Sequence, residues 1–351
     1  MKKIINSILA FSAALIILLS GCQSSAKYIY TQFFSMDTVI ELQSDSDSGT
    51  DEVEKYTSEL EKNISANIAD SEISKLNAAG YASLSPEIYS MLEKAAYVSD
   101  ITDGAFDLCS GALVKLWNIT SENPKIPSDE DIKNALKSCG AENLTLHDGK
   151  AELKNKSAVD PGGFAKGYAA QKCIEILKNN GVKNAMISFG GNVAVTGSSE
   201  NNAKDGKNGW NIGIKNPDDT SGIIGYTRLC DTVIAVSGDY ERYFEKDGVR
   251  YHHIFDTKTG YPADSSLRSA AVICDDGLYA DAFSTALFVM GPRKALEFYN
   301  KKLIGFEAVL ICGDGTVYIT DGLYGDFIPD GNAVNSDGRH YVFKPLSDIN
   351  S

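Results

Sequence analysis

Apolar and polar positions follow two patterns along the chain. In Pro86–Ile101 the apolar residues recur at helical spacing, whereas Ala185–Phe189 is a short apolar run of the kind that forms a buried strand. These patterns predict strands within 28–42 and over 185–189, 210–214, 233–237, 270–274, 306–311 and 316–320. They predict one helix of about two dozen residues that begins near Asp51. Further helices are predicted over 71–80, 86–101, 130–137, 165–180 and 280–290. Since no Pro/Gly-rich linker divides these elements, we expect one α+β domain over 28–346.

The N-terminus has the pattern of an export signal. Two lysines precede an apolar run over 8–19, which is short for a membrane span because a span needs about 20 apolar residues. The run ends in Leu19-Ser20-Gly21-Cys22, which is similar to the lipobox of bacterial lipoproteins. We therefore expect a signal peptide over 1–21, a lipid on Cys22, a tether over 22–27 and anchoring on the extracytoplasmic face of the cell membrane. A plain signal peptide with an incidental cysteine is the alternative.

Charge and cysteine content exclude some classes of function. The formal net charge is -14, so no basic stripe is available to neutralise phosphates and a nucleic-acid partner is excluded. The cysteines after Cys22 form no CxxC pair and no zinc-spaced cluster with histidine. Several, such as Cys274 and Cys312, lie inside apolar runs, where a buried thiol is expected.

A glycine-rich segment, Asp160-Pro161-Gly162-Gly163-Phe164-Ala165-Lys166-Gly167, leads into the predicted helix over 165–180. Small residues before a helix let an anion approach free backbone N–H groups, and Lys166 adds a positive charge in the first turn. The spacing GxxxxGK[ST] of a Walker loop is absent. A tight connection with a solvated lysine is the plainer interpretation.

Oxygen-bearing side chains share one face of the helix predicted over 280–290. Asp281 and Thr285 are separated by one helical turn, and Ser284 lies beside them. Carboxylate and hydroxyl oxygens suit Mg²⁺, which takes few protein ligands and completes its shell with phosphate and water. Alternatively, Asp281 stabilises the helix dipole and Thr285 bonds the backbone.

Two adjacent histidines, His252 and His253, precede a turn-rich segment. A neutral histidine beside a diphosphate can move a proton or orient a reacting group. Because adjacent residues of a strand point to opposite faces, at most one of the two is expected to face a given site. The upstream stretch over 236–244 mixes aromatic and charged residues and also fits a surface strand and turn.

The order of the motifs is more specific than any one of them. Along the chain stand Met36-Asp37-Thr38, Asp70-Ser71-Glu72-Ile73-Ser74 with Leu76-Asn77, Gly104-Ala105-Phe106-Asp107, Asp160 with Lys166-Gly167, Gly190-Gly191-Asn192, Ser237-Gly238-Asp239-Tyr240, His253-Ile254-Phe255-Asp256 with Thr259-Gly260, and Ala280-Asp281-Ala282-Phe283-Ser284-Thr285-Ala286. From about Phe33 to Gly322 the chain thereby resembles the FAD:protein FMN transferase family, the ApbE-type lipoproteins.

This resemblance implies an α+β fold related to the T-fold, a single catalytic domain of two packed lobes with FAD in the cleft between them. It implies contacts to FAD from Met36, Asn67, Ala105, Phe106, Asp107, Asp160, Lys166 and Ile254. It implies Mg²⁺ ligands in the carbonyl of Gly163 and the side chains of Asp281, Ser284 and Thr285. His253 would be the acid/base or the group that orients the reacting centre, and Asp281 would contribute to catalysis through the metal.

The reaction implied is attack by a threonine hydroxyl of an extracytoplasmic acceptor protein on the FMN phosphorus of FAD, with release of AMP. One position departs from the family pattern: Asn67, in Ser65-Ala66-Asn67, stands where many transferases have an aromatic residue. A polar side chain there leaves room for water, so hydrolysis of FAD to FMN and AMP is the first alternative. A non-enzymatic flavin-binding lipoprotein is the second.

Overall fold

A computed structural model describes residues 28–199, 201–202 and 208–350. The predicted signal peptide, the tether and Cys22 lie outside these residues. In the described part of the chain, no helix has both the length and the apolar character that a membrane span requires.

Helices and strands are mixed along the chain, as the α+β prediction requires. The strands are β1 (Ile29–Ser35), β2 (Thr38–Ser44), β3 (Tyr81–Ser83), β4 (Leu144–His147), β5 (Lys150–Leu153), β6 (Ala185–Phe189), β7 (Asn192–Thr196), β8 (Trp210–Lys215), β9 (Ile223–Leu229), β10 (Thr232–Gly238), β11 (Tyr243–Lys246), β12 (Val249–His252), β13 (Phe255–Asp256), β14 (Tyr261–Pro262), β15 (Leu267–Cys274), β16 (Glu307–Cys312), β17 (Thr316–Ile319), β18 (Ile328–Pro329) and β19 (Val342–Pro345). The helices are α1 (Thr50–Ile64), α2 (Glu72–Ala79), α3 (Pro86–Ile101), α4 (Gly111–Trp117), α5 (Asp129–Leu136), α6 (Ala165–Asn179), α7 (Gly277–Asn300) and α8 (Asp321–Tyr324). Short 3-10 turns cover Ala141–Asn143, Pro161–Gly163 and Leu346–Asn350.

One sheet of nine strands, in the order β1-β2-β6-β7-β10-β15-β16-β17-β19, organises the molecule. Its two faces are both buried, because alternate residues of each central strand enter different cores. Val233 and Ala235 of β10 pack with α6 and α7 in the main core. Ile234, between them, packs with Trp210 and Ile212 of β8 in a second core on the opposite face.

A third, smaller core forms around Trp117 at the end of α4. Its indole Nε1 donates a hydrogen bond of 2.8 Å to the carbonyl of Gly260, and its ring stacks on Tyr251 of β12. Phe244 of β11 stacks on Tyr251 in turn, and Phe255 completes the cluster. This core therefore fixes the β11–β12 hairpin and the chain that follows it, where His253 lies.

The helix predicted to run for about two dozen residues from Asp51 is shorter than expected. The observed helix α1 ends at Ile64, and Ser65 is extended with a ψ angle of 129°. The side chains of Ser71 and Ser74 both donate hydrogen bonds to the carbonyl of Ser65. These hydroxyls satisfy a carbonyl that a longer helix would have used, so the chain divides into two helices here.

The helix predicted over 280–290 is longer than expected at both ends. It begins at Gly277 because the carboxylate of Asp276 accepts hydrogen bonds from the N–H groups of Leu278 (3.0 Å) and Tyr279 (3.2 Å). The predicted end at Gly291-Pro292 is a kink: Gly291 has a φ of 72°, and the helix resumes after it through Asn300.

Helices α6 and α7 cross in close contact at a pair of glycines. A Cβ atom added at Gly167 would overlap the carbonyl of Gly277, and one added at Gly277 would overlap the carbonyl of Gly167. The same contact contains a hydrogen bond of 2.9 Å from the N–H of Gly167 to Oδ2 of Asp281. Only glycine permits this separation, which places the beginnings of the two helices side by side.

A mostly buried ion network holds the end of β10. Arg268 on β15 donates from Nε to Oδ2 of Asp239 at 2.7 Å and from Nη1 to Asp218. Oδ1 of Asp239 also lies 3.4 Å from Nη1 of Arg250 on β12. The hydroxyl of Tyr341 donates a hydrogen bond of 3.0 Å to Oδ2 of Asp218. The network joins β10, β12 and the loop after β8, so it sets where the ends of these strands lie relative to one another.

We expect Gly167→Ala to destabilise the fold by about 3 kcal/mol, because the added methyl group meets backbone on the facing helix and cannot be accommodated by a rotamer change. Urea denaturation measures the change. Gly325→Ala is the control, since Gly325 has right-handed helical angles and open space at its Cβ position. Equal stability of the two variants would mean that the glycine contact is not a constraint.

We expect Arg268→Met to destabilise the fold by about 3 kcal/mol, because the change leaves the buried carboxylate of Asp218 without its cation and leaves Asp239 with Arg250 alone. The matched control is Arg339→Met, whose ion pair with Asp337 is exposed, and we expect a change within about 0.5 kcal/mol there. A loss at Arg268 no larger than that at Arg339 would contradict the structural role of the network.

Candidate active site

The glycine-rich segment before α6 forms a tight turn with a lysine over it. The carboxylate of Asp160 accepts a hydrogen bond of 3.1 Å from the N–H of Gly162. Lys166 Nζ donates to the carbonyl of Gly162 at 3.2 Å. Asp160 is itself held by a hydrogen bond of 2.9 Å from its N–H to the carbonyl of Leu108. The predicted anion site therefore has a carboxylate, that of Asp160, and a positively charged side chain, that of Lys166, within one turn.

The oxygen-bearing face of α7 points at this turn. Ser284 Oγ donates to the carbonyl of Asp281 at 2.8 Å and lies 2.8 Å from Ser237 Oγ, which is also 3.2 Å from Thr285 Oγ1. A Cβ atom added at Gly163 would lie 3.5 Å from Thr285 Oγ1, so the glycine turn and the hydroxyl face are in direct proximity. The two predicted motifs thus meet in one place.

The donors in this place fit a magnesium ion better than a softer metal. The carboxylate of Asp281 adjoins Gly167, the hydroxyl of Thr285 adjoins Gly163, and both side chains offer oxygen. Among the described residues, no three His, Cys, Asp or Glu side chains converge as a cage made of protein ligands alone would require. Few protein oxygens with open positions are what Mg²⁺ accepts when a phosphate supplies the rest.

Two carboxyl groups in the site resist ionisation because they are removed from water. Burial raises the pKa of Asp281, while the charge of Lys166 and the N–H of Gly167 oppose the shift. Burial likewise raises the pKa of Asp160, opposed by the N–H of Gly162 and by the charges of Lys166 and Arg242. Each carboxylate is therefore stabilised by positive charge near it, and a bound cation would add to that stabilisation.

The ring of His253 has a defined tautomer. Its Nδ1 lies 3.2 Å from the carbonyl of Arg242, which can only accept, so Nδ1 carries the proton and Nε2 keeps a free electron pair. Burial, with smaller contributions from the charges of Arg242 and Lys166, lowers the pKa of His253 to about 3. His253 is thus neutral near pH 7 and able to accept a proton on Nε2.

Both ring nitrogens of His252 are hydrogen-bonded to the backbone. Its ring is buried against Phe288, and Nε2 donates a hydrogen bond of 3.1 Å to the carbonyl of Ala263. Nδ1 accepts the N–H of Ile254 at 3.2 Å. Of the two adjacent histidines, only His253 has a ring nitrogen available to a ligand, as the alternation along a strand predicts. Ile254 is buried in the main core.

The predicted flavin contacts lie at different distances from this centre. Phe106 is adjacent, because a Cβ atom added at Gly163 would lie 3.2 Å from its ring. Ala105 precedes it and is half-buried. Asp107 accepts hydrogen bonds from the N–H groups of Cys109 (2.9 Å) and Gly140 (2.7 Å), so its carboxylate holds the loop.

Met36 occupies the two-residue turn between β1 and β2, with a φ of 54° that is uncommon for a residue with a side chain. The next strand begins at Thr38, whose hydroxyl lies beside Gly190. The turn of Met36 therefore adjoins the turn before Asn192, on the same side of the sheet end as Asp281. A conformation of this kind persists where the surrounding structure enforces it.

Asn67 lies in the exposed loop between α1 and α2. Its N–H donates to Ser65 Oγ at 3.1 Å. Among the described residues, no hydrogen bond joins Asn67 to the metal face or to the glycine turn. The helix after this loop, α2, is joined to the site by Asn77, which exchanges hydrogen bonds with Val159 at 2.9 and 2.8 Å, directly before Asp160.

Three residues of the site received no role from the sequence. Ser237 contacts the hydroxyls of Ser284 and Thr285 on α7. Asn192 is buried, and its Nδ2 has no hydrogen-bond partner among the described residues. Its side chain nevertheless lies near enough to Asp281 to oppose the rise in the pKa of that carboxyl. Arg242 faces His253. Ser237 and Asn192 belong to ordered blocks that could have identified them, whereas Arg242 is identified only by the contacts of His253 with its carbonyl.

Comparison with known proteins gives a consistent picture. The sequence profile of the ApbE family matches residues 36–310. The FAD:protein FMN transferase of Treponema pallidum is 33% identical over 290 residues, which are 78% of this chain and 79% of the relative. That of Haemophilus influenzae is 31% identical over 341 residues, 90% of this chain and 96% of the relative.

Solved structures agree. The crystal structure of the ApbE protein of Thermotoga maritima superposes with a TM-score of 0.78 at 33% identity, covering 86% of this chain and 99% of that one. The flavinyl transferase ApbE of Pseudomonas stutzeri gives a TM-score of 0.75 at 27% identity, covering 88% and 99%. With the predicted motifs gathered at one site and the match extending over most of the sequence, the chain belongs to the ApbE family.

Proposed function

We propose that this protein is a magnesium-dependent FAD:protein FMN transferase, which attaches FMN through a phosphoester to a threonine of an acceptor protein and releases AMP. The observation that carries the proposal is the meeting of Gly163, Lys166, Asp281 and Thr285 between the beginnings of two helices. A diphosphate needs an anion-binding turn, a cation and oxygen ligands for a metal, and these are the groups present. The names of the relatives support the same activity.

In this proposal Mg²⁺ is held by the carbonyl of Gly163 and by Asp281 and Thr285, with Ser284 beside them, and it neutralises phosphate charge when bound. Lys166 supplies a fixed positive charge at the first turn of α6, where the helix dipole has the same sign. Asp160 orients the glycine turn through the N–H of Gly162. We assign the flavin contacts to Met36, Asn67, Ala105, Phe106, Asp107 and Ile254.

His253 is the proposed base. Its Nε2 accepts the proton of the threonine hydroxyl as that oxygen bonds to the FMN phosphorus, and the bond from this phosphorus to the AMP oxygen breaks. Burial is the main cause of the low pKa of His253 in the protein without ligand, and the charges of Arg242 and Lys166 add to it. An anionic phosphate beside the ring would raise this pKa towards neutrality, which improves the base when substrate is present.

We further propose that the protein acts outside the cytoplasmic membrane, anchored through a lipid on Cys22. The support is the sequence pattern of residues 1–22, together with a folded domain that begins at β1, directly after the proposed tether. Two acyl chains on one cysteine give stable anchoring where one would not. The acceptor would then be an extracytoplasmic redox subunit or flavin-carrying domain.

The proposal is tested by incubating the protein with FAD, Mg²⁺ and a threonine-bearing acceptor protein. We expect in-gel flavin fluorescence on the acceptor and release of AMP. Asp281→Asn keeps the shape and the hydrogen bond to Gly167 but removes the charge, so we expect turnover to fall at least about a hundredfold. Without Mg²⁺ its melting temperature should not fall, because the ionised Asp281 is costly to bury.

Asp326→Ala is the control for this variant, since Asp326 is exposed and distant in sequence from the site, and it should retain full activity. Free FMN and AMP without a labelled acceptor would indicate hydrolysis, and unchanged FAD would indicate binding only. Full activity of Asp281→Asn would refute the metal assignment.

The exposed position of Asn67 leads to a prediction about competition between water and the acceptor hydroxyl. Replacement by an aromatic residue adds a surface that stacks on a flavin and excludes solvent, so Asn67→Tyr should lower the ratio of FMN released to FMN transferred by about tenfold. Chromatography of the free flavin and densitometry of the labelled acceptor give the two amounts. The control is Asn332→Tyr, because Asn332 lies on an exposed loop. Asn77→Tyr would not serve, because the side chain of Asn77 donates a hydrogen bond to the backbone of Val159. An unchanged ratio would show that Asn67 does not control access of water.

A further inference from the structure

An arginine lies directly beside the proposed base. The ladder of β11 and β12 ends at the pair of Tyr243 and His252, and Arg242 and His253 are the residues directly beyond it. The N–H of His253 donates to the carbonyl of Arg242 at 3.1 Å, and Nδ1 of the same histidine lies 3.2 Å from that carbonyl. The side chain of Arg242 therefore starts from backbone that His253 contacts twice, and its positive charge is close enough to act on the imidazole.

The guanidinium of Arg242 is unused by the rest of the protein. It is exposed, and among the described residues no hydrogen bond or ion pair of its side chain is found. Arg250 and Arg268, by contrast, are both engaged by Asp239. The backbone of Arg242 is fixed by its two contacts with His253, so a free cation is held in place at the site.

Its charge acts on the site and not only on the surface. The positive charge of Arg242 opposes the rise that burial causes in the pKa of Asp160, and it adds to the fall that burial causes in the pKa of His253. The charge of Lys166 acts in the same directions. The formal charges of Asp160 and Asp281 then cancel those of Lys166 and Arg242. A diphosphate and one divalent cation add a further balanced pair, so the loaded site is neutral only if Arg242 is counted within it.

We propose that Arg242 binds the phosphate of the FMN half of FAD, on the phosphorus that the acceptor hydroxyl attacks. The inference rests on the proposed function and adds a contact to it. In a displacement at phosphorus the entering and leaving oxygens are roughly in line, so the base lies on the side opposite to AMP. Because Arg242 adjoins His253, it reaches the non-bridging oxygens of the attacked phosphorus and not the AMP phosphate.

A guanidinium suits this position for two reasons. Its planar fork donates two parallel hydrogen bonds to phosphate, which fixes the orientation of the phosphorus as well as its charge. It cannot lose its proton near neutral pH, so it does not compete with His253 for the proton of the hydroxyl. Arg242 thereby stabilises the negative charge on the FMN phosphate, and Lys166 with the metal serves the rest of the diphosphate.

The test compares two flavins that differ only in this phosphate. Dissociation constants of FMN and riboflavin are measured with Mg²⁺ by quenching of flavin fluorescence, for the wild type and for Arg242→Gln. We expect the preference of the protein for FMN over riboflavin to fall about tenfold in the variant, with the riboflavin constant unchanged. Arg242→Lys, which keeps the charge without the fork, should give an intermediate preference.

Arg228→Gln is the matched control, because Arg228 bonds Asn211 on the separate β8–β9 sheet and the variant removes the same charge. Its preference for FMN should equal that of the wild type. An unchanged preference in Arg242→Gln would overturn the inference, and it would do so even if that variant lost transfer, since the arginine would then act on the acceptor. Unchanged riboflavin binding verifies that the variant is folded.

Failure of the proposed function has a different signature. If the wild type transfers no FMN to any acceptor while the preference for FMN still depends on Arg242, the phosphate contact stands and the transferase proposal fails. If the wild type transfers FMN and the preference does not depend on Arg242, the transferase proposal stands and the phosphate contact fails.

Discussion

The contact between Gly167 and Gly277 is the constraint on which the site depends. Two glycines let α6 and α7 approach until the N–H of Gly167 reaches the carboxylate of Asp281. That approach places the positive end of α6 next to the acidic and hydroxyl groups of α7, although more than a hundred residues separate them in sequence. A larger side chain at either glycine would separate the glycine turn from the proposed metal ligands on α7.

The arrangement costs stability that the rest of the fold supplies. Burial raises the pKa of both Asp281 and Asp160, so each ionised carboxylate is held against its desolvation penalty. Among the described residues, the amide nitrogen of Asn192, which is buried near Asp281, has no hydrogen-bond partner. A buried polar group left in this way marks a place that a ligand can complete, and this one lies beside the proposed metal site. The sheet beneath is buried on both faces, which gives it apolar contacts to offset these costs.

Periodicity and turn chemistry predicted the elements that bear the motifs, and less of how those elements meet. The strand over 185–189, the helix over 86–101 and the hairpin of β16 and β17 are confirmed, because each depends on local patterns. Helix α1 is shorter than predicted because hydroxyls of Ser71 and Ser74, from the next helix, take up the carbonyl of Ser65. Helix α7 is longer because a kink at Gly291 interrupts it without ending it. The site motifs were recognised by their order along the chain, and that order includes Ser237, whereas the contact of Arg242 with His253 is not contained in a linear pattern.

The proposed base and the proposed metal ligands are held by separate parts of the fold, and Asp239 connects them. Ser237, two residues earlier on β10, contacts the hydroxyls of Ser284 and Thr285. Asp239 itself joins Arg268 of the main sheet to Arg250 of the hairpin that leads to His253. Transfer at phosphorus depends chiefly on positioning, and an error of about 1 Å between base and metal can cost two orders of magnitude in rate. A buried carboxylate shared by two arginines is a stiff link of this kind, because rotation of any one partner leaves a charge unpaired. The acidic residue of the Ser-Gly-Asp-Tyr block therefore serves the proposed site through geometry, by its contacts with Arg250 and Arg268.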